Sequence, residues 1–108
     1  MVEVRQYVDA FGRDHFERWF CKLDAVTQSR VVVAVDRIER GSFSAAKSVG
    51  SGVLELKLDF GPGYRIYFGK DGDRLVILLA GGTKQRQQED IVRAHALWKD
   101  YKLRKREG

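Results

Sequence analysis

Cysteine and proline are almost missing from the chain, which has one of each in 108 residues, Cys21 and Pro62. A lone cysteine forms no intramolecular disulfide, so packing and hydrogen bonding must hold the fold, as in the reducing cytosol. Histidine is equally scarce, with only His15 and His95. Together with the single cysteine they offer no ligand spacing for a catalytic metal, and no cofactor is expected. No Gly-x-Ser-x-Gly elbow occurs, which removes that form of serine hydrolase. Long apolar runs are absent too: the longest, Leu75–Ala80, falls far short of the roughly 20 residues a membrane helix needs. No basic leader with an apolar segment opens the chain, so a cytoplasmic location without membrane contact is expected.

What is present suffices for one core. A hydrophobic fraction of 44% with 11% aromatics suits a globular chain, and this length supports a single domain over 1–108. The formal charge is +5. Residues 1–40 balance seven Lys/Arg against seven Asp/Glu, whereas 41–108 set thirteen against eight, so the whole excess lies in the later part. A polyanionic partner would meet that part.

Alternation over Val2–Val8 predicts a short strand at or near a sheet edge. Asp14 with Glu17 three positions on has capping-box spacing and predicts a helix over 14–23. Asp24 is a second N-cap and Gly41 a stop, so 25–40 reads as a second helix with Val31, Val32, Val35 and Ile38 inward. The small and polar run 41–52 reads as a loop. Residues 53–60 alternate, with Leu54, Leu56, Leu58 and Phe60 on one face and Glu55, Lys57 and Asp59 on the other. Gly61-Pro62-Gly63 is a turn, and it precedes a strand rather than a helix, so it is no phosphate-cradling loop. Strands over 64–69 and 74–80, joined at Asp71-Gly72, complete a meander. A last helix over 88–104 carries Ile91, Ala94, Trp98 and Tyr101 at helical spacing. The order β-α-α-β-β-β-α predicts an α+β fold, a mainly antiparallel sheet with helices on one face.

Chemistry gathers on one strand face. Lys57, Arg65 and Tyr67 share a side, and Lys84 and Arg86 follow the last strand. Cations beside aromatic rings suit RNA, because ammonium and guanidinium groups meet phosphate while a ring stacks on an unpaired base. The same groups suit metal-free RNA cleavage. In that reaction the 2′-hydroxyl attacks the adjacent phosphate, one group takes a proton, another returns one, and fixed cations hold the developing charge. The plainer reading of Lys57, Lys84 and Arg86 is solvated surface, and of Arg65 a cross-strand pair with Glu55 or Asp59. Lys102 and Arg104 in the basic run 102–106 are either a solvated helix end or phosphate contacts.

The stretch from Gly52 to Phe68, with Glu55-Leu56-Lys57 and Gly61-Pro62-Gly63-Tyr64-Arg65, followed by Gly81-Gly82-Thr83-Lys84, resembles the RelE/ParE toxin superfamily. The resemblance covers nearly the whole chain and is closest to the HigB-like, phage Gp49-like branch of addiction-module killer proteins. It implies the toxin of a type II toxin–antitoxin pair, commonly an endoribonuclease that cuts mRNA on the ribosome. The implied partner is a helix-turn-helix, HigA-like antitoxin, through which alone operator DNA would be met. Phosphate binding would fall to Arg65, with Lys57 and Lys84 as further catalytic cations. Tyr64, Tyr67, Arg86, Lys102 and Arg104 would contact RNA. The family's tyrosine or histidine on the final helix is replaced here, which leaves His95 and Tyr101 as candidate general acids. A ParE-like gyrase inhibitor, or a nontoxic antitoxin-binding module, would use the same fold.

Overall fold

The computed structural model describes residues 1–107. Five strands and three helices follow in the order β1 (Glu3–Gln6), α1 (His15–Phe20), α2 (Ala25–Glu39), β2 (Ala46–Ser48), β3 (Val53–Lys57), β4 (Arg65–Asp71), β5 (Leu75–Gly82) and α3 (Gln87–Glu107), with a 3-10 turn over Lys84–Arg86. The α+β class stands as expected. The sheet order is β1-β5-β4-β3-β2, antiparallel except for the edge pair β1–β5, which is parallel.

Local signals account for the helix starts. Asp14 accepts the amide of Glu17 at 2.9 Å, and Asp24 accepts that of Thr27 at 2.7 Å, each satisfying one orphan N–H of a first turn. The amide of Thr27 also holds the Asp24 carboxyl below its usual range. The capping box at α1 is one-sided, since the Glu17 carboxylate accepts instead from the Gln6 side chain at 3.4 Å. In α2 the buried stripe is Thr27, Val31, Ala34 and Ile38. Val32, expected inward, points to solvent, because the helical period that buries Val31 and Ala34 turns it away.

Two expectations are corrected. Residues 46–48, within the expected loop, form β2, which pairs with β3 from Ala46↔Leu56 to Ser48↔Leu54. The helices also do not share one face. Phe16, Val31 and Ile38 of α1 and α2 pack on Ile66, Phe68, Val76 and Leu78, whereas Ala94, Leu97 and Trp98 of α3 pack on Val53, Tyr67, Ile77 and Leu79. The cause lies in β4 and β5, which are apolar on both sides and must be covered on both. A bulge between Tyr67 and Phe68, opposite Leu78–Ala80, twists this centre and re-aims the strand ends that carry the site.

Candidate functional site

The antiparallel register of β3 and β4 sets Lys57 opposite Arg65 and Glu55 opposite Tyr67. Directly opposed residues share a sheet face, so all four point toward α3. Their environments then diverge. Glu55 is 1% exposed and Arg65 5%, and Arg65 Nε lies 3.6 Å from Glu55 Oε2. The guanidinium also donates from Nη1 to the Gly63 carbonyl at 2.6 Å. Glu55 has two further partners, the Gln87 amide at 2.9 Å and the ammonium of the exposed Lys47 at 3.6 Å. The cross-strand pair with Glu55 is therefore formed, and Arg65 is an anchored, nearly covered cation.

Lys57 is half exposed and lies 3.7 Å from Asp59. Lys84 is exposed, but its Cβ abuts Gly63. A Cβ on Gly63 would stand 3.4 Å from it and 3.1 Å from Arg65 Nη1, at a φ of 74° that favours glycine in any case. The Lys84 amide reaches the Pro62 carbonyl at 3.4 Å. The glycine turn thus brings Lys84 beside Arg65, and the strand register brings Lys57 beside it from the other side. The three expected catalytic cations lie together at one end of the sheet.

The other candidates scatter. Tyr67 is fully buried and offers no face to a base, which corrects its expected contact with RNA; burial, and after it the Glu55 carboxylate, pushes its hydroxyl up. Tyr64 points to the opposite face, half-buried between Trp19 and Phe60. Arg86 donates to Glu89 at 2.7 Å. His95 Nε2 lies 2.9 Å from the Val49 carbonyl in the β2–β3 turn, which occupies that ring nitrogen. Tyr101 donates to Asp71 at 2.5 Å and stacks on Trp98. Burial, then the bond to Asp71, pushes its hydroxyl up to about 12. Asp71 ends the strand that Arg65 begins, about 20 Å away at 3.3 Å per residue, so Tyr101 is no general acid for a phosphate at Arg65. Lys102 and Arg104 lie about as far off, more than 20 Å along α3 from Gln87 at 1.5 Å per residue. Arg104 is engaged within the fold, donating to the Tyr7 hydroxyl at 3.0 Å and the Val8 carbonyl at 2.8 Å.

Glu55, Lys47 and Gln87 were not among the expected site residues. Glu55 carried a signal, its place opposite the leucines of β3, but nothing local says that it is buried. Four buried polar atoms find no hydrogen-bond partner within the protein: Glu55 Oε1, Arg65 Nε, Tyr67 Oη and Asp90 Oδ2. Glu55 meets Gln87 at the start of α3, and Asp90 belongs to the first turn of that helix. Such atoms are rare in native interiors and cluster where a site is built. Among the described residues no three His, Cys, Asp or Glu side chains gather to hold a metal.

The family model described as "Phage derived protein Gp49-like (DUF891)" matches residues 18–99, which take in α2, the whole meander, the cation group and parts of α1 and α3. The chain belongs to this Gp49-like family. It is a toxin-like addiction-module family, and an antitoxin is the partner such a role implies. An uncharacterized protein of Haemophilus influenzae is 39% identical over 83 residues, covering 76% of this chain and 84% of that protein. No solved structure matches. No helix is long and apolar enough to cross a membrane.

Proposed function

We propose that this Gp49-like protein is the toxin of an addiction module and cleaves mRNA on the ribosome by attack of the 2′-hydroxyl. Arg65 and Lys84 hold the scissile phosphate, and Lys57, acting in its neutral amine form, takes the 2′-hydroxyl proton and becomes the ammonium. The products are a 2′,3′-cyclic phosphate and a 5′-hydroxyl, the leaving oxygen being protonated from the ammonium of Lys84. The observation that supports this reading is the convergence of Lys57, Arg65 and Lys84 through strand register and the Gly63 turn. Arg65 is fixed by Glu55 and the Gly63 carbonyl before any substrate arrives, and such preorganisation is what charge stabilisation requires. A cognate antitoxin, HigA-like and helix-turn-helix in kind, covers these cations in the neutral complex.

The test is induction of the chain without antitoxin, with methionine and thymidine incorporation followed over the first minutes. Methionine incorporation is expected to fall first, and translated messages to acquire cuts. Lys57→Ala/Lys84→Ala removes two exposed cations and leaves the fold intact, so it is expected to restore growth. Arrest that persists in this variant, or thymidine incorporation that falls first, overturns the ribonuclease reading, and the second result moves the target to DNA gyrase.

A further inference from the structure

A groove of about 930 Å³ runs between α2, the loop before β2 and the end of β3. Its floor is Ala34, Leu56 and Leu58, part of the core on which α2 packs. Lys57 borders it between the two leucines, and strand alternation sends its side chain to the opposite face, with Arg65. The strand pairing of β2 stops at Ala46↔Leu56, so the end of β3 has no neighbouring strand on that edge.

The α2 rim of the groove is one stripe, Val26, Arg30, Val33 and Arg37, at steps of four, three and four residues. Such steps keep to one face of a helix, and they are the spacing at which one helix seats against another. The stripe is uncovered. Val26 and Val33 are more than half exposed, and no ion pair among the described residues takes Arg30 or Arg37. The Arg30 guanidinium lies over the Phe60 ring at 4.4 Å, an arrangement that directs its N–H donors sideways, where a carboxylate meets them.

The chemistry of the stripe selects its occupant. A second copy of this chain does not suit it: antiparallel pairing of two stripes sets Val26 against Arg37 and Arg30 against Val33, and parallel pairing sets like on like. Neither brings a carboxylate to the arginines. A nucleic acid finds no platform on which to stack, because the walls are mostly aliphatic and their one ring, Phe60, already faces Arg30. A helix that carries apolar and acidic residues at the same alternating steps covers the valines and the leucine floor and neutralises both arginines. The rim is roughly 16 Å long at 1.5 Å per residue, about three turns of such a helix.

We propose that this groove is the docking surface for an acidic amphipathic helix of a protein partner, with apolar residues on Val26, Val33, Leu56 and Leu58 and carboxylates on Arg30 and Arg37. Arg65 and Lys84 are not part of its wall, so the docked helix leaves the cation group open. The inference does not rest on the ribonuclease reading.

Panning a displayed library of random peptides, each about 16 residues long, on the full chain reads the chemistry that the groove selects, and fluorescence anisotropy of the enriched peptides reads affinity. Enriched peptides are expected to set apolar residues and Glu or Asp at alternating steps of three and four. Val26→Ser/Val33→Ser and Arg30→Ala/Arg37→Ala change exposed residues, are checked by thermal unfolding, and are each expected to weaken peptide binding at least tenfold. A 2′-O-methyl RNA strand is expected to bind the valine variant as it binds the wild type and to leave the peptide in place. The proposal is overturned if the enriched peptides lack acidic residues or this spacing, or if they bind both variants as they bind the wild type. It is equally overturned if the RNA displaces them and itself binds the valine variant tenfold more weakly, which assigns a nucleic acid, or if the wild type sediments as a dimer that the valine variant dissociates, which assigns a second copy. Cleavage lost in Lys57→Ala/Lys84→Ala is read separately, so either reading can fail while the other stands.

Discussion

Arg65 illustrates how one residue serves fold and chemistry together. Its guanidinium faces a carboxylate that is 1% exposed, so Arg65→Ala strands a buried charge and is expected to destabilise the protein by about 3–5 kcal/mol. Lys57→Ala and Lys84→Ala remove solvated groups and are expected to stay within about 0.5 kcal/mol. Urea denaturation of the three variants checks this, and equal midpoints would show that Glu55 does not depend on Arg65. Loss of toxicity in Arg65→Ala alone therefore says little, whereas the exposed lysines separate activity from folding. Asp71 gives a pH dependence. The Lys105 ammonium, and after it the Tyr101 hydroxyl, holds its carboxyl below the usual range. Its folded value is thus below its unfolded value, so the stabilisation is full above the unfolded value near pH 4 and fades as pH falls through the folded one. The stability gap between wild type and Asp71→Asn is expected to be constant near neutrality and to close in acid. A gap that widens in acid would contradict the pairing.

The end of β5 is the element whose packing leaves the least room for a side chain. Gly81 and Gly82 have ordinary backbone angles, since neither is among the glycines at positive φ. They are required by what sits on them, Trp19 and Asp90. Gly81→Ala is expected to lose about 1–3 kcal/mol through overpacking against the Trp19 ring, read as a lower thermal midpoint, and Trp19→Ala in the same chain should recover part of it. Recovery of nothing would mean that the ring does not lie against the strand. The helix caps behave as local chemistry dictates. Asp14→Ala is expected to lose about 1 kcal/mol from α1, a smaller loss than that from Gly81→Ala.

Across the whole molecule, α3 binds the N- and C-terminal parts together. Tyr7 donates to Asp100, Arg104 reaches Tyr7 and Val8, and Lys105 meets both Asp71 oxygens at 2.7 Å. The basic run is thus partly structural, and truncation before Lys102 is expected to lower stability by roughly 1–3 kcal/mol, measurable by denaturation. An unchanged midpoint would mark the run as a free tail. These ties also show where reading the chain alone succeeds and where it stops. The caps at Asp14 and Asp24, the leucine alternation of β3, the glycine turns and the helical spacing of α3 are written in residues a few positions apart, and short-range sterics and hydrogen bonds enforce them without help from the rest of the chain. The same alternation put Lys57 and Arg65 on one face. Strand β2 escaped because three residues pair only once β3 is beside them. The burial of Glu55, the loss of Tyr67 to the interior, the separation of Tyr101 from Arg65 and the groove between α2 and the end of β3 depend on partners tens of residues away. Burial and charge proximity are properties of the packed arrangement, which no local pattern of residues encodes.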